Sequence, residues 1–483
     1  MSIVKALSNA VSGLTATARG TETVASNISN AMTPGYMRRE MAVSSQTLGG
    51  YGGGVRIDGI TRIVNASILA ESRLADAARS DAQTRADFLS SIESVIGTAG
   101  AAGSLGGMLT EFRTALQSAA SRPDDETRLS QVVVAAERLV SGLNAASDQV
   151  QKARTEADQA IARDVESLNA GLERVAYLNG KITVIEAQGG DSSSLQDERQ
   201  AVISQIGTIV PVQEVAREGG KVALFTTGGA VLLDGSRPTE FSFTTAGSFS
   251  AGMEVGTGSV TRLVQNGVEL TDSQMRLFAG GSMAAHFAVR DELAPQVQQE
   301  LDALALDLCQ RLSDPAVDPT VTGAGFFTDA GTGATAATMT GLASRLSLNA
   351  DLRDDSNGAF WRLRAGVGAT TPVAVGDSTF LTALSDALDA TIPADAAGGF
   401  EGNASFASRL SQIEARVATR RVNAEADLSI RNSRADTMAS RLMEDGVDSD
   451  AEMQRLLQYE QAYAANARVI QAIDEMMNQI LRL

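Results

Sequence analysis

The chain has 483 residues, a formal charge of -18 and a pI near 4.6. So negative a field repels nucleic acid and anionic membranes, and neither is an expected partner. At roughly 150 residues per domain the length predicts about three domains, each able to bury a core.

The single cysteine, Cys309, excludes an intramolecular disulfide and a cysteine-built metal site within one chain. His286 is the only histidine, so a catalytic triad or a multi-His metal site would have one residue to draw on. No catalytic, cofactor-binding or metal residue is predicted. The opening Met-Ser-Ile-Val-Lys-Ala-Leu lacks a basic segment followed by an apolar core, which predicts no cleaved secretory signal. No apolar run approaches the roughly 20 residues that span a bilayer, so no membrane insertion is expected.

The first predicted helix runs from about Ser2 to Met32. Along it Ile3, Leu7, Ala10, Leu14, Thr17, Thr21, Val24 and Ile28 alternate steps of four and three, which keeps one stripe facing a partner helix. Gly13 and Gly20 lie inside it, each costing about 1 kcal/mol relative to Ala, so a packed partner is expected to hold it. The turn motif Asn27, Asn30, Thr33, Pro34, Gly35 and Tyr36 ends it, since Pro-Gly suits the middle of a type II turn. Residues 37 to 63 read as extended, with alternation at Val55, Ile57 and Ile60. The run Gly49 to Gly54 is followed by neither Lys-Ser nor Lys-Thr, which argues against a phosphate cradle.

Helix resumes near Val64. From Pro123 to Glu186 a sustained stripe of Ile161, Val165, Leu168, Leu172, Val175, Leu178, Ile182 and Ile185 predicts one long helix. A short helix follows from Leu195 to Ile206. Five β-type runs come next: Val210 to Val215, Lys221 to Thr226, Ala230 to Asp234, Phe241 to Thr245 and Ser259 to Val264. Helix returns at Leu293 and closes at Asp314-Pro315. Residues 316 to 400 carry few large apolar side chains and predict a small insertion; acidic pairs there such as Asp354-Asp355 signal nothing in so acidic a chain. Leu410 to Leu442 give another helix. The last helix is predicted to open with a Ser449 to Glu452 capping box, and its stripe is Leu456, Tyr459, Tyr463, Asn466, Ile470, Ile473, Met477 and Ile480.

The fold class expected is a multidomain α+β protein with long terminal coiled-coil helices, a helical-bundle stem and β-rich insertions. Its divisions are a terminal unit of 1–63 and 444–483, a stem of 64–206, 285–315 and 401–443, a β-rich insertion of 207–284 and an outer insertion of 316–400. The two terminal stripes are the predicted assembly interface.

Ala6 to Leu14, then Asn27-Ile28-Ser29-Asn30 and Thr33-Pro34-Gly35-Tyr36, resemble the start of bacterial flagellar axial proteins of the rod, hook and hook-associated group. Glu452 to Ile470 resembles their C-terminal signature, with Glu460 where glutamine is expected. Phe112 to Ala120, Val165 to Ile182, Leu195 to Gln200 and Ala285 to Leu293 are most similar to the family of hook-associated protein 1, the hook-filament junction subunits. That resemblance implies a secreted structural subunit, exported unfolded by the flagellar type III apparatus, that forms an adaptor ring in the extracellular flagellum. It implies as partners other copies of the chain, the hook protein, hook-associated protein 3 and a cytoplasmic export chaperone at the C-terminal helix. It implies no cofactor. Two alternatives stay open: a hook or distal-rod subunit, and a secreted enzyme with coiled-coil anchors.

Overall fold

The computed structural model describes residues 3–33, 35–48, 51–98, 100–101, 103–353, 359–393, 400 and 402–482. Ser2, Pro34, Gly49, Gly50 and the Asp354-Asp355 pair, all named above, lie outside the described residues.

Helix α1 spans Ile3–Asn30, and strands β1 (Arg39–Leu48) and β2 (Tyr51–Arg62) form an antiparallel hairpin. The hairpin lies against α1, where Ser12 Oγ accepts from the Val55 amide at 3.2 Å. Helix α2 (Ala66–Ile96) begins at Asn65, whose side chain accepts from Ile68 N–H, and α3 spans Leu105–Ser121. Helix α4 (Glu126–Ala187) has 62 residues, about 93 Å at 1.5 Å per residue, and Asp125 caps it by accepting from Thr127 and Arg128 amides. Helix α5 is Ser193–Ile209.

Next comes a four-stranded antiparallel sheet of β3 (Val212–Ala216), β4 (Val222–Thr226), β5 (Val231–Asp234) and β6 (Arg237–Pro238). A smaller sheet joins β7 (Phe241–Ser242), β8 (Val264–Gln265) and β9 (Val268–Glu269). Two expectations fail here. The run Ser259 to Val264 pairs only from Val264 onward, because Val260 and Leu263 are buried as loop anchors and the Thr261 carbonyl accepts from Arg290. Helix also returns earlier than Leu293: after the short α6 (Asp272–Met275), α7 (Gly281–Ala288) passes through a π turn at Val289–Leu293 into α8 (Ala294–Leu312).

Residues 316 to 400 supply short pieces: β10 (Phe327–Asp329) paired with β11 (Leu346–Leu348), α9 (Leu342–Arg345), α10 (Arg362–Ala365), α11 (Thr379–Asp389) and β12 (Ile392–Pro393), which pairs with β13 (Asn403–Ala404). Their apolar side chains, Phe326, Phe327, Leu342, Leu381 and Leu384 among them, enter the same core as Phe112, Leu139 and Leu304 of the stem. Helix α12 is Phe406–Glu444 and α13 is Ser449–Leu481. Long helices and several small antiparallel sheets make this a mixed α+β architecture, as the sequence predicts.

The length of α4 explains why it enters both of the large cores among the described residues. Its first half packs with α2, α3, α8 and α12, while its second half, from Ile161 to Val175, packs with α5, the four-stranded sheet and Met283 of α7. Buried arginines tie these parts together. Arg290 and Asp158 meet at 2.7 Å with both side chains fully buried, and Arg154 donates to the carbonyls of Arg290, Ser250 and Met253. Charges so placed are tolerated because Arg290 and Asp158 are paired with each other and Arg154 is satisfied by carbonyl acceptors. The π turn belongs to this arrangement, since it carries Arg290.

Candidate assembly interface

Helices α1 and α13 run antiparallel along each other within the one chain. At Gly13 a β-carbon would stand 2.8 Å from Asn466 Nδ2, and at Gly20 it would stand 2.6 Å from the ring of Tyr459. The two glycines are therefore holes filled by side chains of α13. Their helix-propensity cost is repaid by close approach, which the sequence reading did not foresee. The spacing held the clue: 13, 20 and 27 step by seven in one direction while 466, 459 and 452 step by seven in the other.

The third rung is polar. Asn27 is fully buried, and its Nδ2 donates to Glu452 Oε2 at 3.0 Å and to the Arg39 carbonyl at 2.8 Å. Its Oδ1 accepts from the Arg39 amide at 3.0 Å and from the Tyr36 hydroxyl at 2.9 Å. Gly35 reaches φ +80 in the turn, and the Tyr36 amide donates to Thr33 O at 3.1 Å. Asn30 Nδ2 donates to Ser26 O at 2.9 Å. The predicted turn motif thus both ends α1 and delivers Tyr36 and Arg39 to Asn27.

The capping expectation needs correction. Asp448, not Ser449, caps α13 by accepting from the Asp450 and Ala451 amides, and Glu452 points instead to Asn27 and to Arg455, which lies 2.8 Å away. A nearer carboxylate had already satisfied the helix end.

Of the predicted interface residues, Val24 and Ile473 are buried in this pairing, and Ile3, Leu7, Leu14, Ile28, Leu456, Tyr459, Asn466 and Ile470 are half-buried. Tyr463 stays exposed on one flank of α13 and Val469 and Met476 on the other, while Met477 and Ile480 are exposed where α13 runs past Ile3. One helix therefore covers only the middle of a wider apolar arc.

Where the terminal unit meets the stem, Asp197 of α5 takes Arg62 Nε at 2.8 Å and Arg39 Nη2 at 3.1 Å, and Arg62 also donates to Gln196 at 3.1 Å. Burial pulls the Arg62 pKa below its usual value, with Asp197 opposing. Two open grooves flank this latch, one of about 1000 Å³ beside the hairpin and Gly189, the other of about 410 Å³ beside Tyr36 and Ala201.

His286 Nδ1 donates to Asp164 Oδ2 at 2.9 Å, and Ser282 donates to that same oxygen at 3.0 Å. The serine thus bonds the carboxylate and not the imidazole, the reverse of what a nucleophile needs. No group of three His, Cys, Asp or Glu that could hold a metal occurs among the described residues, and no helix there is long and apolar enough to cross a membrane.

Three family models match this chain: "Flagella basal body rod protein" over residues 7–36, "Flagellar hook-associated protein FlgK helical domain" over 89–314, and "Flagellar basal body rod FlgEFG protein C-terminal" over 435–483. Flagellar hook-associated protein 1 of Salmonella typhimurium is 27% identical over 307 residues, which cover 62% of this chain and 54% of that protein. The protein of the same name in Bacillus subtilis is 23% identical over 511 residues, covering 98% and 97%. The chain thus matches about half the length of the Salmonella relative. A solved structure of the flagellar hook junction protein FlgK from Burkholderia pseudomallei is 22% identical, covers 54% of this chain and 46% of that one, and has a TM-score of 0.45.

A rod-type signature at each end, carried by helices that pair head to tail, defines an axial protein of the bacterial flagellum. Within that class the helical stem narrows the likeness. Over residues 89–314 the chain is similar to the FlgK family of flagellar hook-associated proteins, the name its curated relatives also carry.

Proposed function

We infer that this chain is a structural subunit of the hook-filament junction, assembling as a ring of copies between the hook protein and hook-associated protein 3. The observation that carries the reading is that both rod-type signatures fall on α1 and α13, outside a helical domain of the FlgK type. On this reading the terminal pair lines the inner tube, the stem forms the next shell and the insertions lie outside. The exposed flanks of α13, with Tyr463 on one side and Val469 and Met476 on the other, are the surfaces left to meet further copies.

The mechanical task is to relieve mismatch between a bending hook and a stiffer filament. The chain then acts as a part and not as a catalyst, needs no cofactor, and travels unfolded through the flagellar export apparatus with a chaperone on α13. A hook or distal-rod subunit is the second reading, favoured by the rod-type matches at the two ends. The match over 89–314 weighs against it.

Electron microscopy of cells lacking the gene tests the proposal. Hooks without filaments, flagellin shed into the medium, and no rescue by a chain truncated after Asp448 are expected. Normal filaments in the deletion strain, or hooks that never form, would overturn it.

A further inference from the structure

The three rungs that join α1 to α13 differ in what they can discriminate. Gly13 opposite Asn466, Gly20 opposite Tyr459 and Asn27 opposite Glu452 are each one heptad from the next on both helices. If α13 slid by seven residues, Tyr459 would face Gly13 and still find a hole. The glycines therefore permit slippage, and so does the apolar stripe, which repeats on the same beat.

Asn27 does not permit it. Its amide is oriented by Arg39, whose N–H donates to Oδ1 and whose carbonyl accepts from Nδ2, so one remaining Nδ2 hydrogen is aimed at α13. Only Glu452 answers it, at 3.0 Å, and with Asn27 fully buried and Glu452 1% exposed, water cannot substitute. In the slipped register facing Gly13 with Tyr459, Asn27 would stand opposite residue 445, beyond the start of α13, and the Glu452 carboxylate would face Gly20, which offers no donor side chain. A buried polar group left without its partner costs more than the bond contributes, and this asymmetry selects one register.

We propose that Asn27 is the register key of the terminal pair, the residue that chooses among heptad-related pairings of α1 with α13 inside one chain. It is a positioning residue, and it deepens the reading above: register sets how far the exposed end of α13, with Ile480 and Leu481, reaches past Ile3. A slip of one heptad would move that end by about 10 Å, enough to disturb any stacking of copies.

The test uses the purified full-length chain and thiol cross-linking. Thr17→Cys is combined with Ala462→Cys for the observed register, and with Arg455→Cys or Val469→Cys for the two slipped ones; buried Cys309 stays silent and reports that the stem is folded. With Asn27 present, only the 17/462 pair should link, within one chain. In Asn27→Ala and in Glu452→Leu the slipped pairs should rise at least tenfold at the expense of 17/462, whereas Glu452→Gln, which keeps the acceptor, should remain single-register.

Exclusive 17/462 linking in both disrupting variants would overturn the proposal. So would loss of every cross-link in both while Cys309 stays protected, since the rung would then supply stability and not choice. Links formed mainly between chains would overturn it as well. Because no flagellar partner enters the assay, these failures are distinct from failure of the junction assignment.

Discussion

The ring of Tyr459 lies directly over the backbone of Gly20, close enough that a β-carbon there would come within 2.6 Å of it. A glycine in the middle of a helix is thereby made an asset. Gly20→Ala should destabilise the terminal pair by about 1–3 kcal/mol through overpacking, although propensity alone would favour alanine by about 1 kcal/mol. Gly180 in α4 has nothing within 4 Å of its would-be β-carbon, so Gly180→Ala should stabilise the stem by about that smaller amount. Hydrogen exchange in residues 3–30 for the first and urea unfolding for the second would check the opposite signs.

Burial grades the three apolar positions of α13. Ile473 is buried while Leu456 and Ile470 are only half-buried. An aspartate at any of them puts an unpaired charge into the seam, and Ile473→Asp should cost most, on the order of several kcal/mol. Limited proteolysis of α13 should rank Ile473→Asp above Leu456→Asp and Ile470→Asp. Motility of cells carrying each variant should fall in the same order.

Asp158 and Arg290 are both sealed from water, and the pair holds the π turn of α7–α8 against α4. Asp158→Ala strips Arg290 of one partner and leaves the Ala246 amide without its acceptor. A loss of about 3–5 kcal/mol in urea unfolding is expected. Replacing both residues by apolar ones of similar size should recover much of it.

Glu414 of α12 accepts from the Gly106 amide at 3.0 Å, and burial raises its pKa above 4.5 while that hydrogen bond opposes the shift. The folded chain thus holds this proton more tightly than the unfolded one. Its contribution is complete below the unfolded value of 4.5 and is lost as pH rises through the folded pKa. Glu414→Gln, which can still accept from Gly106, should match the parent near pH 4 and equal or exceed it at pH 7. Urea midpoints at the two pH values would show whether the difference has that sign.

Burial pushes the Cys309 thiol up to about 12, with Asp329 adding to the shift. Thiolate is then scarce and the sulfur lies out of reach of solvent. In the native chain a disulfide reagent should react only at the rate of stem opening, and full reaction should appear in denaturant. Fast native labelling would contradict this packing.

Much of the architecture was legible because helices longer than a few turns write their period into the chain. The stripe from Ile161 to Ile182 fixed the buried face of α4, while its start fell at Glu126 behind the Asp125 cap and not at Pro123. Short strands were less so: Ser259 to Val264 has β-type composition, yet burial of Val260 and Leu263 in a loop decided its conformation. The candidate interface was half visible. Its apolar stripes were read from spacing, but Glu452 was assigned to a cap because Ser449-x-x-Glu452 fits that pattern, and Asp448 sits one residue too early for the pattern to include it.

By itself the sequence determined that two terminal helices exist, which faces of them are apolar, and that a turn at Thr33 to Tyr36 ends the first; all of these follow from local periodicity and turn chemistry. Tertiary structure alone decided that Gly13 and Gly20 are holes, that Asn27 meets Glu452, and that Arg39 and Arg62 share Asp197. Each depends on which atoms arrive opposite one another from distant parts of the chain, and a heptad repeat states the spacing of partners without stating which partner is met.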